Sequence, residues 1–346
     1  MTPNISELHS ATVQLSQLKL KQEGSLPKLY EIRPAGPGKG LGAFAIQPIK
    51  RGTRILAEAP LLSIAQSEYL EGDIQRSFDK LSAEDKAKYF TLHSNHGQDP
   101  KNWPSTIHPR THEAERQRIE EQHNSRVGDK ATILSIFQTN CMEHERGAAV
   151  FMDASRFNHS CISNAFFSWN SNIGKETIHA IVDILAGEEI TLCYCDALWD
   201  THMRNWALKH YGFRCACRAC GEMVPGSFAA QSHSRRYRMR ELQERLDGHG
   251  KSLRKFDKVD TAAAVSDAVE MCALLVEEGL FTAELGKAYD DLAIVCEQAG
   301  DLRFGYAAAC KELEVYETIL GSDHPEVESA SGLVRRLKKK KLDGEK

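Results

Sequence analysis

The sequence predicts an α+β chain: a β-rich domain of short strands followed by a separate all-α domain. Two observations carry this. Short apolar runs broken by Gly and Pro occupy residues 28–64 and return over 178–195, whereas the sequence after Cys220 reads as helix. Strands grouped first and helices afterwards argue against an alternating parallel sheet. At 346 residues, 41% hydrophobic and 27% charged, the chain has material for one large domain and a smaller one.

Residues 1–27 form a polar leader with scattered leucines, read as a weak helix or a mobile segment. Strands are expected at Tyr30–Arg33, Gly42–Ile46 and Arg54–Ile64, with Pro34, Pro37 and Pro48 marking turns. Residues 65–135 read as a polar, helix-prone insertion. Ser82 is the N-cap candidate of a helix reaching Leu92, Asn95 to Pro109 reads as loop, and Thr111–Gln122 as an exposed helix. Strand texture returns at Ile178–Ile184, turns at Ala186-Gly187, and continues over Glu189–Cys195. In the tail, Ala262–Glu278 and Ala288–Leu320 carry apolar residues at helical spacing, with Gly300-Asp301 between two helices. The stretch ending in Leu320-Gly321-Ser322-Asp323-His324-Pro325 resembles the long tetratricopeptide unit that ends LGxxHP. Two such units must lean on the β-domain or on a partner to bury their apolar faces.

With 44 basic and 48 acidic residues the net charge is −4, so direct nucleic-acid binding is not expected. The basic cluster Arg335, Arg336 and Lys338 to Lys341 suits a solvated helix C-terminus; nuclear import or a nucleic-acid contact is the sharper alternative. No run of 18 apolar residues predicts a membrane span, and no basic-then-apolar leader predicts secretion. A location in the nucleus, the cytoplasm or both is expected. In such a reducing compartment the ten cysteines read as metal ligands or core residues rather than disulfides.

Four local patterns follow in order. Gly38-Lys39-Gly40-Leu41-Gly42-Ala43 lies between strand-like runs. It lacks the third glycine opening a helix that a dinucleotide fingerprint needs, but lets backbone approach a ligand closely. Arg156-Phe157-Asn158-His159-Ser160-Cys161 precedes Ile162-Ser163-Asn164. A hydrolase reading of Ser160 with His159 fails, because neighbours on an extended chain point opposite ways and no GxSxG elbow is present. Gly187-Glu188-Glu189-Ile190-Thr191-Leu192-Cys193-Tyr194 ends in a tyrosine that, alone, reads as a packed aromatic. Gly212-Phe213-Arg214-Cys215-Ala216-Cys217-Arg218-Ala219-Cys220 supplies three thiols, one short of a tetrahedral zinc site. Cys161 is the natural fourth. Cys193 and Cys195 flank Tyr194, and strand spacing puts both on the opposite face as small buried hydrophobes. Cys272, Cys296 and Cys310 read as helix-core residues; Cys141 is ambiguous.

Together and in this order, the patterns over residues 28–222 resemble the SET-domain protein-lysine methyltransferases, most of all the SMYD branch. The resemblance implies a SET β-clip over 28–200 with the helical insertion, a post-SET zinc segment over 201–224, and a tetratricopeptide-like domain over 225–346. One departure stands out: residues 65–135 contain no cysteine, so the branch's MYND finger, a peptide-docking module, is absent. By resemblance, Lys39, Gly40, Leu41, Asn158, His159 and Phe213 line an S-adenosylmethionine site, with Asn140 a further cofactor-side asparagine. Tyr194 would touch both cofactor and lysine, and Tyr211 would wall the lysine channel. One structural zinc ion would bind Cys161, Cys215, Cys217 and Cys220. The implied reaction transfers a methyl group to a lysine of a histone or other protein, leaving S-adenosylhomocysteine. A tyrosine with a pKa near 10 is a poor base, so alignment and electrostatics carry such chemistry. A monomer is expected. The alternative is a catalytically weak SET-fold scaffold acting through its helical tail; a plant-type SET enzyme is disfavoured because that branch lacks the post-SET cysteines.

Overall fold

Proline or glycine stands beside several of the strands, and among the described residues no strand exceeds six residues. The computed structural model describes residues 28–36, 39–103, 106–254 and 261–344. The expected leader over 1–27 and Gly38 of the glycine turn lie outside the described residues. The first strands are β1 (Tyr30–Pro34), β2 (Leu41–Ala45), β3 (Arg54–Glu58) and β4 (Leu62–Ile64). Helices α1 (Glu71–Asp79), α2 (Ala83–Tyr89), α3 (Glu113–Val127) and α4 (Ile133–Asn140) come next. The strands resume with β5 (Cys141–His144), β6 (Gly147–Val150), β7 (Asn158–His159), β8 (Ala165–Asn170), β9 (Lys175–Ala180) and β10 (Glu189–Leu192). Helix α5 (Thr201–Leu208) leads into the cysteine segment. The chain then runs through α6 (Phe228–Arg254), α7 (Thr261–Glu278), α8 (Ala283–Gln298), α9 (Leu302–Leu320) and α10 (Pro325–Gly344).

Three small sheets result, ordered β1-β2-β10-β7, β3-β9-β8 and β4-β6-β5. All pairings are antiparallel except β7 on β10, which runs parallel with Asn158 opposite Thr191. That single parallel contact threads the RFNHSC segment between distant parts of the chain. Pro34 closes an edge strand, where the missing N–H costs no ladder bond.

The continuous strand expected over Arg54–Ile64 is two strands in two sheets, broken at Pro60, which cannot donate to a ladder. The run expected to reach Cys195 stops at Leu192, and the strand expected over Ile178–Ile184 is shifted to Lys175–Ala180. Ser82 caps α2 as its position predicts, its Oγ accepting the Asp85 N–H at 3.0 Å. The insertion is less polar in space than in sequence. Ile74, Phe78, Tyr89 and Leu92 form a buried cluster with Leu134, Ile136 and Phe137 against β4 and β6. Each such side chain contributes about 1.5–3 kcal/mol by leaving water.

Helices α6 to α10 form one apolar core, and it does not stop at the domain border. Ile181, Ala197 and Leu198 of the β-domain belong to the same cluster as Met239, Leu242, Leu275 and Leu292. The turn between α9 and α10 plugs into β3, β8 and β9. Arg54 grips both carboxylate oxygens of Asp323, one at 3.0 Å, and the Asn170 and Asn172 amides donate to Asp323 at 3.1 and 2.8 Å. His324 Nε2 donates to the Trp169 carbonyl at 3.1 Å.

Candidate active site and metal centre

Construction of the site starts at Glu58, the last residue of β3. Its carboxylate accepts the N–H groups of Met152, Asp153 and Ala154 at 2.8–3.0 Å, capping the turn that leads into Arg156. The buried Phe157 anchors that turn in the β core, and Arg156 donates to the Thr91 carbonyl of the insertion at 3.0 Å. Asn158 then lies between β2 and β10, its amide donating to the Leu41 carbonyl at 3.1 Å and to Glu189 Oε1 at 2.7 Å. A Cβ on Gly42 would meet the same two side chains within 2.8 Å, so glycine there is what lets β2 approach. Gly40, at φ +67°, turns the chain with nothing within 4 Å of where a Cβ would stand. Lys39 and Leu41 beside it are exposed.

Four aromatic rings converge next to this turn. His159 lies 5.3 Å from Tyr194 and 5.9 Å from Phe213, and Tyr194 lies 4.8 Å from Tyr211. The Tyr194 hydroxyl donates to the Phe157 carbonyl, and the Tyr194 N–H donates to His159 Nδ1 at 3.0 Å. Burial, with Tyr211 and Glu189 nearby, raises the Tyr194 hydroxyl pKa above its ordinary value. Burial pushes His159 down to about 4, so the ring is neutral at pH 7. With Nδ1 accepting, the proton sits on Nε2, which faces Cys161 Sγ at 3.2 Å.

Tyr211 is positioned from the insertion. Asn95 donates to the His210 carbonyl at 2.7 Å, and Gly212, at φ +76°, packs against the same Asn95 side chain. Both tyrosines line a cavity of about 920 Å³ bounded by the insertion, the β-domain and the starts of α8 and α10. Asn158, His159 and Phe213 are not among its walls. The site therefore has two sides, with Tyr194 between them. Asn140, expected on the cofactor side, is not brought to this group: its amide donates to the His93 and Ile136 carbonyls at 2.7 Å and fastens the insertion to α4.

Cys161, Cys215, Cys217 and Cys220 come together, their sulfurs all within 4.8 Å of one another. Tetrahedral zinc with bonds of about 2.3 Å places sulfurs about 3.8 Å apart, so the set matches that spacing. The thiols share protons. Hydrogen bonds from Cys161 and Cys215 hold Cys217 far below its ordinary value and Cys220 at about 6, while neighbouring thiols raise Cys161 and Cys215. Four sulfurs that cannot all ionise together suit a divalent cation. The fully buried Arg204 donates to the Ala219 carbonyl at 3.1 Å and approaches Cys220 Sγ at 3.5 Å. Arg236, also fully buried, donates to the Cys161 carbonyl at 2.9 Å and pairs with Glu278. Neither arginine is legible as a site residue in the sequence, since each reaches the cluster from a helix. Cys195 is a second surprise. Because β10 ends early, strand alternation does not govern it, and its sulfur lies within 4.8 Å of Cys161 and His159.

Strands β2 to β10, with the parallel β7–β10 contact, fall within a segment that matches a known domain. Residues 40–195 match the SET domain model. The chain is 30% identical over 195 residues to histone-lysine N-methyltransferase set5 of Schizosaccharomyces pombe, covering 56% of this chain and 50% of that one. It is 28% identical over 183 residues to N-lysine methyltransferase SMYD2 of Gallus gallus, covering 50% of this chain and 36% of that one. The chain thus spans half or less of the length of these two relatives. A solved structure of Rubisco LSMT bound to AdoMet is similar at a TM-score of 0.36, with 14% identity, 99% of this chain and 93% of that one covered.

Proposed function

We propose that the chain is an S-adenosylmethionine-dependent protein-lysine N-methyltransferase with one structural zinc ion. The observation that carries this reading is Tyr194, half-buried between the Asn158–His159–Phe213 group and the cavity of about 920 Å³ that it lines with Tyr211. Lys39 to Leu41, Asn158, His159 and Phe213 would hold the cofactor, and Cys161, Cys215, Cys217 and Cys220 the metal. When bound, S-adenosylmethionine supplies an electrophilic methyl group on a sulfonium. The chain's own contribution is alignment. Because the Tyr194 O–H donates to Phe157, the oxygen lone pairs remain free to accept N–H or polarised C–H groups. A hydroxyl whose pKa is raised keeps its proton and serves as a fixed dipole, not a base. A lysine nitrogen held beside a sulfonium's positive charge would be favoured in its neutral form, the nucleophile. The rings of Tyr194 and Tyr211 confine its aliphatic stem.

Tritiated S-adenosylmethionine offered with mixed histones tests this. Tyr194→Phe is expected to lose about 100-fold or more in labelling, the scale of a lost electrostatic group in a dry site. Equal labelling by wild type and variant rejects the role.

A further inference from the structure

The cavity that receives Tyr194 and Tyr211 is unusual in its charge. Glu143 and Glu145 reach it from the β5–β6 hairpin, Asp196 from the segment after β10, Glu284 from α8 and Glu326 from α10. Arg126 is the single Lys or Arg among the described residues that line it. No ion pair engages any of the five carboxylates among the described residues. Their bonds are local, Asp196 accepting the Leu198 N–H at 2.7 Å and Glu284 the Thr282 hydroxyl. The two histidines on the wall add no positive charge at pH 7: burial takes His210 down to about 4 and lowers His324 as well. One sign of charge along a low-dielectric concavity focuses its field on whatever enters. A separate observation concerns hydrogen bonding. Gln138 Nε2 and Trp169 Nε1, on residues of the same wall, are buried N–H donors without an acceptor. Buried donors are seldom left unmatched.

We propose that this cavity selects a lysine flanked by basic residues, with Glu143, Glu145, Asp196, Glu284 and Glu326 facing the flanking side chains. This deepens the methyltransferase reading and rests on it for the role of the central lysine. Two of the five carboxylates belong to the helical domain, so that domain takes part in choosing the substrate.

Fluorescence anisotropy with the full chain tests the inference. Two labelled peptides carry the same central lysine, flanked by Arg and Lys in one and by Asp and Glu in the other. The basic peptide is expected to bind about tenfold tighter or more at low salt, the advantage shrinking as ionic strength shortens the screening length. Equal affinity, or tighter binding of the acidic peptide, overturns the proposal. Glu145 and Glu326 are exposed, so the double variant Glu145→Lys/Glu326→Lys should fold and shift preference toward the acidic peptide. Glu143→Gln/Glu284→Gln should shrink the preference without reversing it. A preference unchanged in both variants overturns the residue assignment. Methyl transfer to the same peptides is read in parallel. Selective binding without transfer would remove the enzyme reading and leave the charge selection standing. Transfer to both peptides with equal KM would do the reverse.

Discussion

His159 touches Cys161 of the cysteine cluster with one ring nitrogen and the backbone of Tyr194 with the other. A change in the thiolate cluster is thus felt two bonds from the candidate catalytic tyrosine. The RFNHSC segment announces these residues by type, but the tautomer that links them depends on β10 ending at Leu192, which no local pattern reveals. Elsewhere, single residues carry buried charge problems that the sequence hides completely. Glu312, 5% exposed on α9 with Oε2 unpartnered, has its carboxyl pushed up to about 8 by burial, with Asp290 and Glu326 adding to it. A carboxyl raised on folding stabilises below its unfolded value of about 4.5, and that contribution is lost as pH climbs through about 8. Glu312→Gln is therefore expected to match wild type in Tm at about pH 5 and exceed it at about pH 9. Parallel melting curves across that range would show the carboxyl to be ionised in the folded chain.

At the scale of elements, strands punctuated by Gly and Pro were legible, and so were helices with a cap or a clean 3.6-residue period. The β5–β6 hairpin was not. Cys141 to His144 has no alternation, and its partner β6 needs Gly147, where any Cβ would collide with the Ile64 backbone of β4. That glycine marks a close approach only once β4 is in view. The cysteine cluster was legible in three of its four members, since spacing exposes them, whereas Cys161 had to be matched across 54 residues by chemistry alone. Helix α5, capped by Asp200 through the His202 and Met203 N–H groups at 2.8 and 3.0 Å, aims Arg204 at the cluster. Metal loss should then disorder the turn carrying Tyr211 and Phe213. Cys217→Ser is expected to abolish bound zinc, measured by atomic absorption, together with methyl transfer; a metal-free variant of full activity would refute the coupling.

Over the whole molecule, the α+β division was legible, but the border was not. The LGxxHP ending resembles the close of a helical repeat, yet here Asp323 and His324 of that turn are fastened to β3, β8 and β9. The signal for docking is split between Arg54, Asn170 and the tail, too far apart to be read as one motif. Arg54→Ala removes a partly exposed bidentate pair and leaves Asp323 with its two asparagines, so a loss of about 1–2 kcal/mol is expected in urea unfolding. Because the helical region shares its core with Ile181, Ala197 and Leu198, unfolding should remain a single transition. A separate early transition of the tail in Arg54→Ala would show that Asp323 and not the shared core couples the parts.

The parallel pairing of Asn158 with Thr191 has a consequence for how the chain is made. During synthesis Cys161 emerges well before Cys215, Cys217 and Cys220, and the β8–β9 hairpin must form before β10 can lie beside β7. Contacts of such long sequence separation form slowly. A nascent chain therefore holds Cys161 beside an unfinished sheet, with Cys195 the first thiol of its surroundings to follow, until Cys215, Cys217 and Cys220 arrive. A metal held by Cys161, Cys215, Cys217 and Cys220 would then be captured late in the assembly of this half of the protein.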